Sequence, residues 1–119
     1  MHWGTAGTWG FWRKPSVRSR GIWKDISIAV ETVTEDLELK RRLFAEMEVL
    51  ARPDAALTSN SSSFPISEIG KGLKTQARMM GLHFFMPASL VPLVEVVRSV
   101  HTDVALAESV GAIMTSLGK

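Results

Sequence analysis

His83 and Glu95 stand in the stretch GLHFFMPASLVPLVEVV, residues 81–97, which is otherwise almost wholly apolar. Apolar runs of this kind predict buried strands. On the second of them Leu93, Glu95 and Val97 share one face, which sets an acid in line with core residues. A buried carboxylate is strongly destabilising unless something pairs with it. A histidine in the preceding segment is a fitting partner. An imidazole oriented by a carboxylate is what a general base requires. The same two residues also read as a structural ion pair, or as a core histidine bonded to backbone.

Ser62 belongs to the polar run Ser59-Asn60-Ser61-Ser62-Ser63, directly after a predicted strand. Ligands of open α/β sheets bind at the carboxyl ends of strands, and a serine there can hydrogen-bond a substrate oxygen. Position alone also fits a solvated turn whose Asn and Ser satisfy their own backbone. Glu35 and Lys40 fall where the first strand ends and a helix begins. A carboxylate there complements the helix dipole, and capping with a solvated lysine is the plainer reading. His2, His83 and His101 are scattered, with no metal-ligand spacing. Gly4, Gly7 and Gly10 have the wrong spacing for a dinucleotide loop and follow no strand.

The elements that must position these residues read in order as strand, helix, strand, short helix, strand, strand, helix. Residues 25–33 are rich in β-branched side chains and predict a strand. Leu39, Leu43, Met47 and Leu50 form one helical stripe, with Lys40, Arg41 and Arg42 around the other faces. Residues 55–59 predict a second strand and residues 66–73 a helical turn. Residues 79–85 and 93–97 predict two more strands. Thr102 is a candidate cap for a last helix, with Leu106, Val110, Ile113 and Leu117 on one face and Gly118 at its end. The early alternation argues for an α/β layer with a mostly parallel sheet. The last two strands have no helix between them and are candidates for antiparallel pairing.

The chain has 119 residues, 45% of them hydrophobic, enough for one domain with a modest core. It has no cysteine, which excludes disulfides and thiolate chemistry. No apolar run reaches the roughly 18 residues of a membrane span. Residues 1–24 carry five basic residues, no acidic ones and all four tryptophans, while the rest carries nine basic against twelve acidic. The arm fits no helical or alternating period. A basic aromatic arm can bind single-stranded nucleic acid or an anionic surface, and an Arg-rich, acid-poor start is also found in transit peptides. The abrupt change of composition favours a disordered or artefactual leader over residues 1–25, with the body at 26–119.

Three blocks of the body, AVETVTEDLELKRRLFAEME, LTSNSSSFPISEI and GLHFFMPASLVPLVEVV, resemble in order and spacing the NAD-binding domain of L-3-hydroxyacyl-CoA dehydrogenases. The resemblance implies a partial Rossmann-like dinucleotide-binding domain, the second half of it, in a truncated and inactive piece of a longer enzyme. The first half, with its Gly-rich loop, and a later helical domain that makes a homodimer would be missing. By the same resemblance His83 is the catalytic histidine, Glu95 its partner and Ser62 a substrate-contacting serine. Glu35 and Lys40 fall on the family's residues near the nicotinamide ribose and the CoA moiety. Met86 departs from the family, which has an asparagine there on the nicotinamide side.

The implied activity is NAD-dependent oxidation of a 3-hydroxyacyl-CoA to the 3-oxo form, in the cytoplasm. His83 would take the hydroxyl proton while the C3 hydride passes to NAD. Nucleic acid, membrane and metal are not among the expected partners. Two alternatives stand beside this reading: a related dehydrogenase of a small non-CoA hydroxy acid, which Met86 keeps open, and a non-catalytic binding module using the Trp-rich arm.

Overall fold

The computed structural model describes residues 2–5, 8–11 and 22–119. Its strands are β1 His2–Thr5, β2 Thr8–Phe11, β3 Ile28–Glu31, β4 Ala56–Ser59, β5 Met79–Phe84 and β6 Val94–Arg98. Its helices are α1 Leu37–Leu50, α2 Ile66–Ile69 and α3 Val104–Ser116. The strands form one sheet in the order β2-β1-β3-β4-β5-β6. β3, β4 and β5 run parallel, and β6 returns antiparallel to β5. The α/β class and the antiparallel last strand are as expected. β1 and β2, in a segment where the sequence offers no periodic signal, pair as a hairpin and lie antiparallel along β3.

Every residue of β3 and β4 is buried, as befits strands inside a sheet covered on both faces. Alternate residues then sort into two cores. Ala29, Leu57 and Met79 face α1 and α2 and pack with Trp23, Phe44, Met47 and Ile69. Ile28, Val30, Ala56, Met80 and Leu82 face α3 and pack with Ala107, Val110 and Met114. Trp23, counted with the leader in the sequence reading, is thus part of the first core.

Four expectations are corrected. The buried side of α1 carries Leu43, Phe44 and Met47 together with Lys40, which was expected on a solvated face. An amphipathic period places a residue near a boundary but does not say what polar groups await it there. The buried residues of α3 are Ala107, Val110 and Met114, so Ile113 and Leu117 of the expected stripe stay exposed. The small Ala107 lets the helix approach the sheet, which turns the larger Leu106 to the flank. Thr102 does not cap α3. Its hydroxyl donates to the Met79 carbonyl at 2.7 Å, and the N-cap residue is Asp103.

The fourth correction concerns β6. It is an edge strand, and α3 packs against its Val94 and Val96 face. Leu93, Glu95 and Val97 lie on the other side and are exposed. Strand periodicity put these three on one face correctly, but whether that face is covered depends on a neighbour that the period cannot reveal. Glu95 therefore carries no burial penalty.

Candidate active site

His83 sits one residue before the end of β5, and Glu95 is its direct cross-strand partner on β6. Directly opposed residues of antiparallel strands have their Cβ atoms about 4.5–5.5 Å apart on one face. The imidazole is half-buried and the carboxylate exposed. Among the described residues no hydrogen bond or ion pair joins them. Gly81 makes room for the ring: a Cβ there would come within 3.3 Å of His83 Nε2 and 3.1 Å of Val97 Cβ. A side chain at that position would push the imidazole away from the sheet.

Ser62 reaches the same place from β4. The chain after Ser59 turns over the carboxyl ends of β4 and β5, and Ser61, Ser62 and Ser63 line a cavity of about 270 Å³ together with Gly81, His83 and Val97. The Ser62 hydroxyl is exposed and makes no hydrogen bond among the described residues. The turn itself is fixed by its neighbours. Asn60 N donates to the Glu31 carbonyl at 2.9 Å, and Asn60 Oδ1 accepts from Phe84 N at 2.8 Å. One residue thereby pins the ends of β3 and β5 across β4.

Glu35 and Lys40 are brought together, and they join the serine turn. Lys40 is almost fully buried, and its ammonium donates to Glu31 Oε2 at 2.6 Å, the Val33 carbonyl at 3.0 Å and Glu35 Oε1 at 3.1 Å. An ammonium has three donors, and all three are engaged. Ser61 Oγ donates to Glu35 Oε2 at 2.8 Å. Burial is the largest single influence on the Glu35 carboxyl and opposes its ionisation. The Ser61 hydroxyl, the Lys40 ammonium and, least, the Ser63 hydroxyl together outweigh it and hold the group below its ordinary value. Asp36 caps α1 by accepting from Leu39 N at 3.1 Å, which fixes the helix start that carries Lys40.

Sequence reasoning missed Glu31, Ser59, Asn60 and Ser61. Glu31 is fully buried and accepts from Ser59 Oγ at 2.6 Å and Val33 N at 2.8 Å. The signal was available: Glu31 is an acid closing the apolar strand IAVE, the same anomaly that drew attention to Glu95. Ser61 was hidden in a serine run that also reads as a self-satisfied turn.

The opposite face of the sheet is different in kind. At the same strand ends it holds a cavity of about 650 Å³, walled by Val30, Phe84, Met86, Met114 and Leu117, with Thr32 and Asn60 at its rim. Met86 is 77% exposed and lines this space. Lys119 closes one side by donating to the Ala88 carbonyl. Among the described residues no helix is long and apolar enough to cross a membrane.

The family model described as "3-hydroxyacyl-CoA dehydrogenase, NAD binding domain" matches residues 15–119, beginning before Ala29, where the first of the three resembling blocks starts. A probable 3-hydroxyacyl-CoA dehydrogenase of Caenorhabditis elegans is 44% identical over 80 residues, covering 67% of this chain and 26% of that protein. A 3-hydroxybutyryl-CoA dehydrogenase of Mycobacterium tuberculosis is 45% identical over 84 residues, covering 70% of this chain and 29% of that protein. The crystal structure of a 3-hydroxybutyryl-CoA dehydrogenase from Escherichia coli superposes with a TM-score of 0.80 at 35% identity, over 84% of this chain and 21% of that one. The chain thus spans between a quarter and a third of the length of these two curated relatives. It belongs to the 3-hydroxyacyl-CoA dehydrogenase family, in the region of that family's NAD-binding domain.

Proposed function

We propose that this chain supplies the catalytic half-site of an NAD-dependent 3-hydroxyacyl-CoA dehydrogenase. The observation that carries the reading is that Ser62 and His83, from different strand ends, line one cavity. Ser62 there offers a free hydroxyl to the substrate's 3-oxygen. His83 takes the hydroxyl proton on an imidazole nitrogen as the carbonyl forms. NAD, when bound, supplies the acceptor for the C3 hydride. Glu95 faces His83 from β6 and favours the imidazolium once something covers this open face. In water an exposed pair of this kind contributes at most about 1 kcal/mol, and exclusion of water strengthens it.

The residues present fit part of the cofactor. The apolar cavity at the ends of β3, β4 and β5 suits a flat nicotinamide ring, with Thr32, Asn60 and Met86 around it. Met86 holds such a ring by packing, since a thioether is only a weak acceptor. Glu35, ionised and partly exposed, offers acceptors to a ribose hydroxyl, and Lys40 serves by holding Glu35. The pyrophosphate finds no glycine-rich cradle among the described residues. A CoA thioester as substrate, a homodimer made outside these residues and a cytoplasmic location belong to the same reading.

A chimera tests it. The 84-residue matching segment of the mycobacterial relative is replaced by that of this chain, and NAD-dependent oxidation of 3-hydroxybutyryl-CoA is measured. The reading predicts activity within about tenfold of the parent, and loss of about 10²–10⁴ on removing the general base. A folded, NAD-binding chimera without activity would contradict it.

A further inference from the structure

One member of the polar network reaches neither cavity. Glu31 is fully buried, yet its carboxylate holds three separate groups: Ser59 Oγ at 2.6 Å, Lys40 Nζ at 2.6 Å and Val33 N at 2.8 Å. Two of these contacts start paths that meet again at Glu35. Along one, Ser59 Oγ accepts from Ser61 N at 3.1 Å and Ser61 Oγ donates to Glu35 Oε2 at 2.8 Å. Along the other, Lys40 Nζ donates to Glu35 Oε1 at 3.1 Å. The result is a closed ring, Glu31–Ser59–Ser61–Glu35–Lys40, drawn from β3, β4, the serine turn and the start of α1.

We infer that Glu31 is the positioning residue of this site, setting Glu35 and the serine turn from one buried point. The direction of every bond in the ring follows from it. An ionised carboxylate only accepts, so the Ser59 proton must point to Glu31. That leaves the Ser59 lone pairs for Ser61 N. The Ser61 oxygen in turn accepts from Phe64 N at 3.1 Å, so its own proton goes to Glu35. Both Glu35 oxygens therefore receive a donor. Lys40, with no donor left over, acts on a ligand only through Glu35. The ring also ties the Glu35 carboxylate to the turn that carries Ser62, so displacing one displaces the other. This inference rests on the proposed function for its ligand, but the ring itself does not.

The test uses the whole chain with labelled carboxyl carbons and amides. Two variants cut the ring at points that do not touch Glu35. Ser59→Ala removes one oxygen and no charge. Glu31→Asp keeps the charge, and so the field at Glu35, but shortens the reach by one methylene. The Glu35 titration is followed by NMR, with amide exchange at Ser61 and the shifts caused by millimolar NAD. In both variants the Glu35 titration should move up toward the ordinary carboxylate value, and Ser61 exchange should quicken about tenfold, as for an amide that loses one hydrogen bond. NAD-induced shifts at Glu35 and Ser61 should be lost, while those at Phe84 remain. A folded Ser59→Ala chain with unchanged Glu35 titration and unchanged Ser61 exchange overturns the inference. Should Glu31→Asp not fold, Ser59→Ala decides alone. Absence of any NAD-induced shift in the wild type counts against the proposed function, while the titration still decides the role of Glu31.

Discussion

The two faces of one sheet, compared at the carboxyl ends of β3, β4 and β5, differ in almost every respect. On the α1 side the last residues are Glu31, Ser59 and His83, and the space beyond them is small and lined with hydroxyls. On the α3 side their immediate neighbours are Val30, Thr58 and Phe84, and the space is more than twice as large and apolar. The strands are the same. Only the alternation of side chains separates a face that fixes charges and protons from a face that offers shape. The proposed transfer of a proton and a hydride needs both kinds of surface side by side, and a two-residue period supplies them with no extra element.

The two faces should differ most at Lys40. Lys40→Met leaves Glu31 buried without its counter-charge, and loss of one partner of a buried pair costs about 3–5 kcal/mol. The double variant Glu31→Gln/Lys40→Met should recover most of that in urea unfolding, since neither charge then remains buried. On the α3 face the same experiment has no counterpart, because only apolar volume is at stake. Met114→Ala should cost about 2 kcal/mol, the low end for such truncations, because Met114 already borders open space. Equal losses at Lys40 and Met114 would mean that the polar face is held by packing rather than by charge.

Gly81→Ala should disturb the polar face alone, and by less. The new Cβ meets Val97 Cβ at 3.1 Å and His83 Nε2 at 3.3 Å. Mild overpacking of this kind costs about 1 kcal/mol, and the imidazole, being the freer neighbour, should move. Its ring signals should shift in the NMR spectrum, while those of Met114 on the other face should not.

The smallest expected effect is in pH. Glu35 is held below its ordinary value of 4.5 in the folded chain. A carboxylate so depressed stabilises the fold above that value, and the contribution disappears as pH falls through the folded value. Ser61→Ala removes one cause of the depression. The stability gap between wild type and Ser61→Ala should therefore be widest near neutral pH and narrow in acid. A gap independent of pH would show that Ser61 acts only through its bond from Phe64 N.

Much of this was legible in the sequence, for reasons that can be stated residue by residue. β-branched runs gave the strands, and the absence of a helix between residues 85 and 93 pointed to the antiparallel return. His83 and Ser62 stood out because polar groups interrupt or follow apolar strands. Lys40 was misjudged because a helical period cannot foresee a buried carboxylate opposite it. Glu95 was misjudged for the converse reason: its strand is apolar, but nothing among the described residues covers that face. Glu31 was overlooked although it carried the same signal. What the sequence lacked in each case was the identity of the element on the other side.

His83 on the polar face is the proposed base, and kcat of the chimera carrying His83→Gln is the decisive measurement. Glutamine keeps a hydrogen-bonding side chain but takes no proton at neutral pH. If His83 is the base, kcat falls about 10²–10⁴-fold while NAD affinity and folding stay nearly unchanged. Full activity per folded molecule in His83→Gln would contradict it.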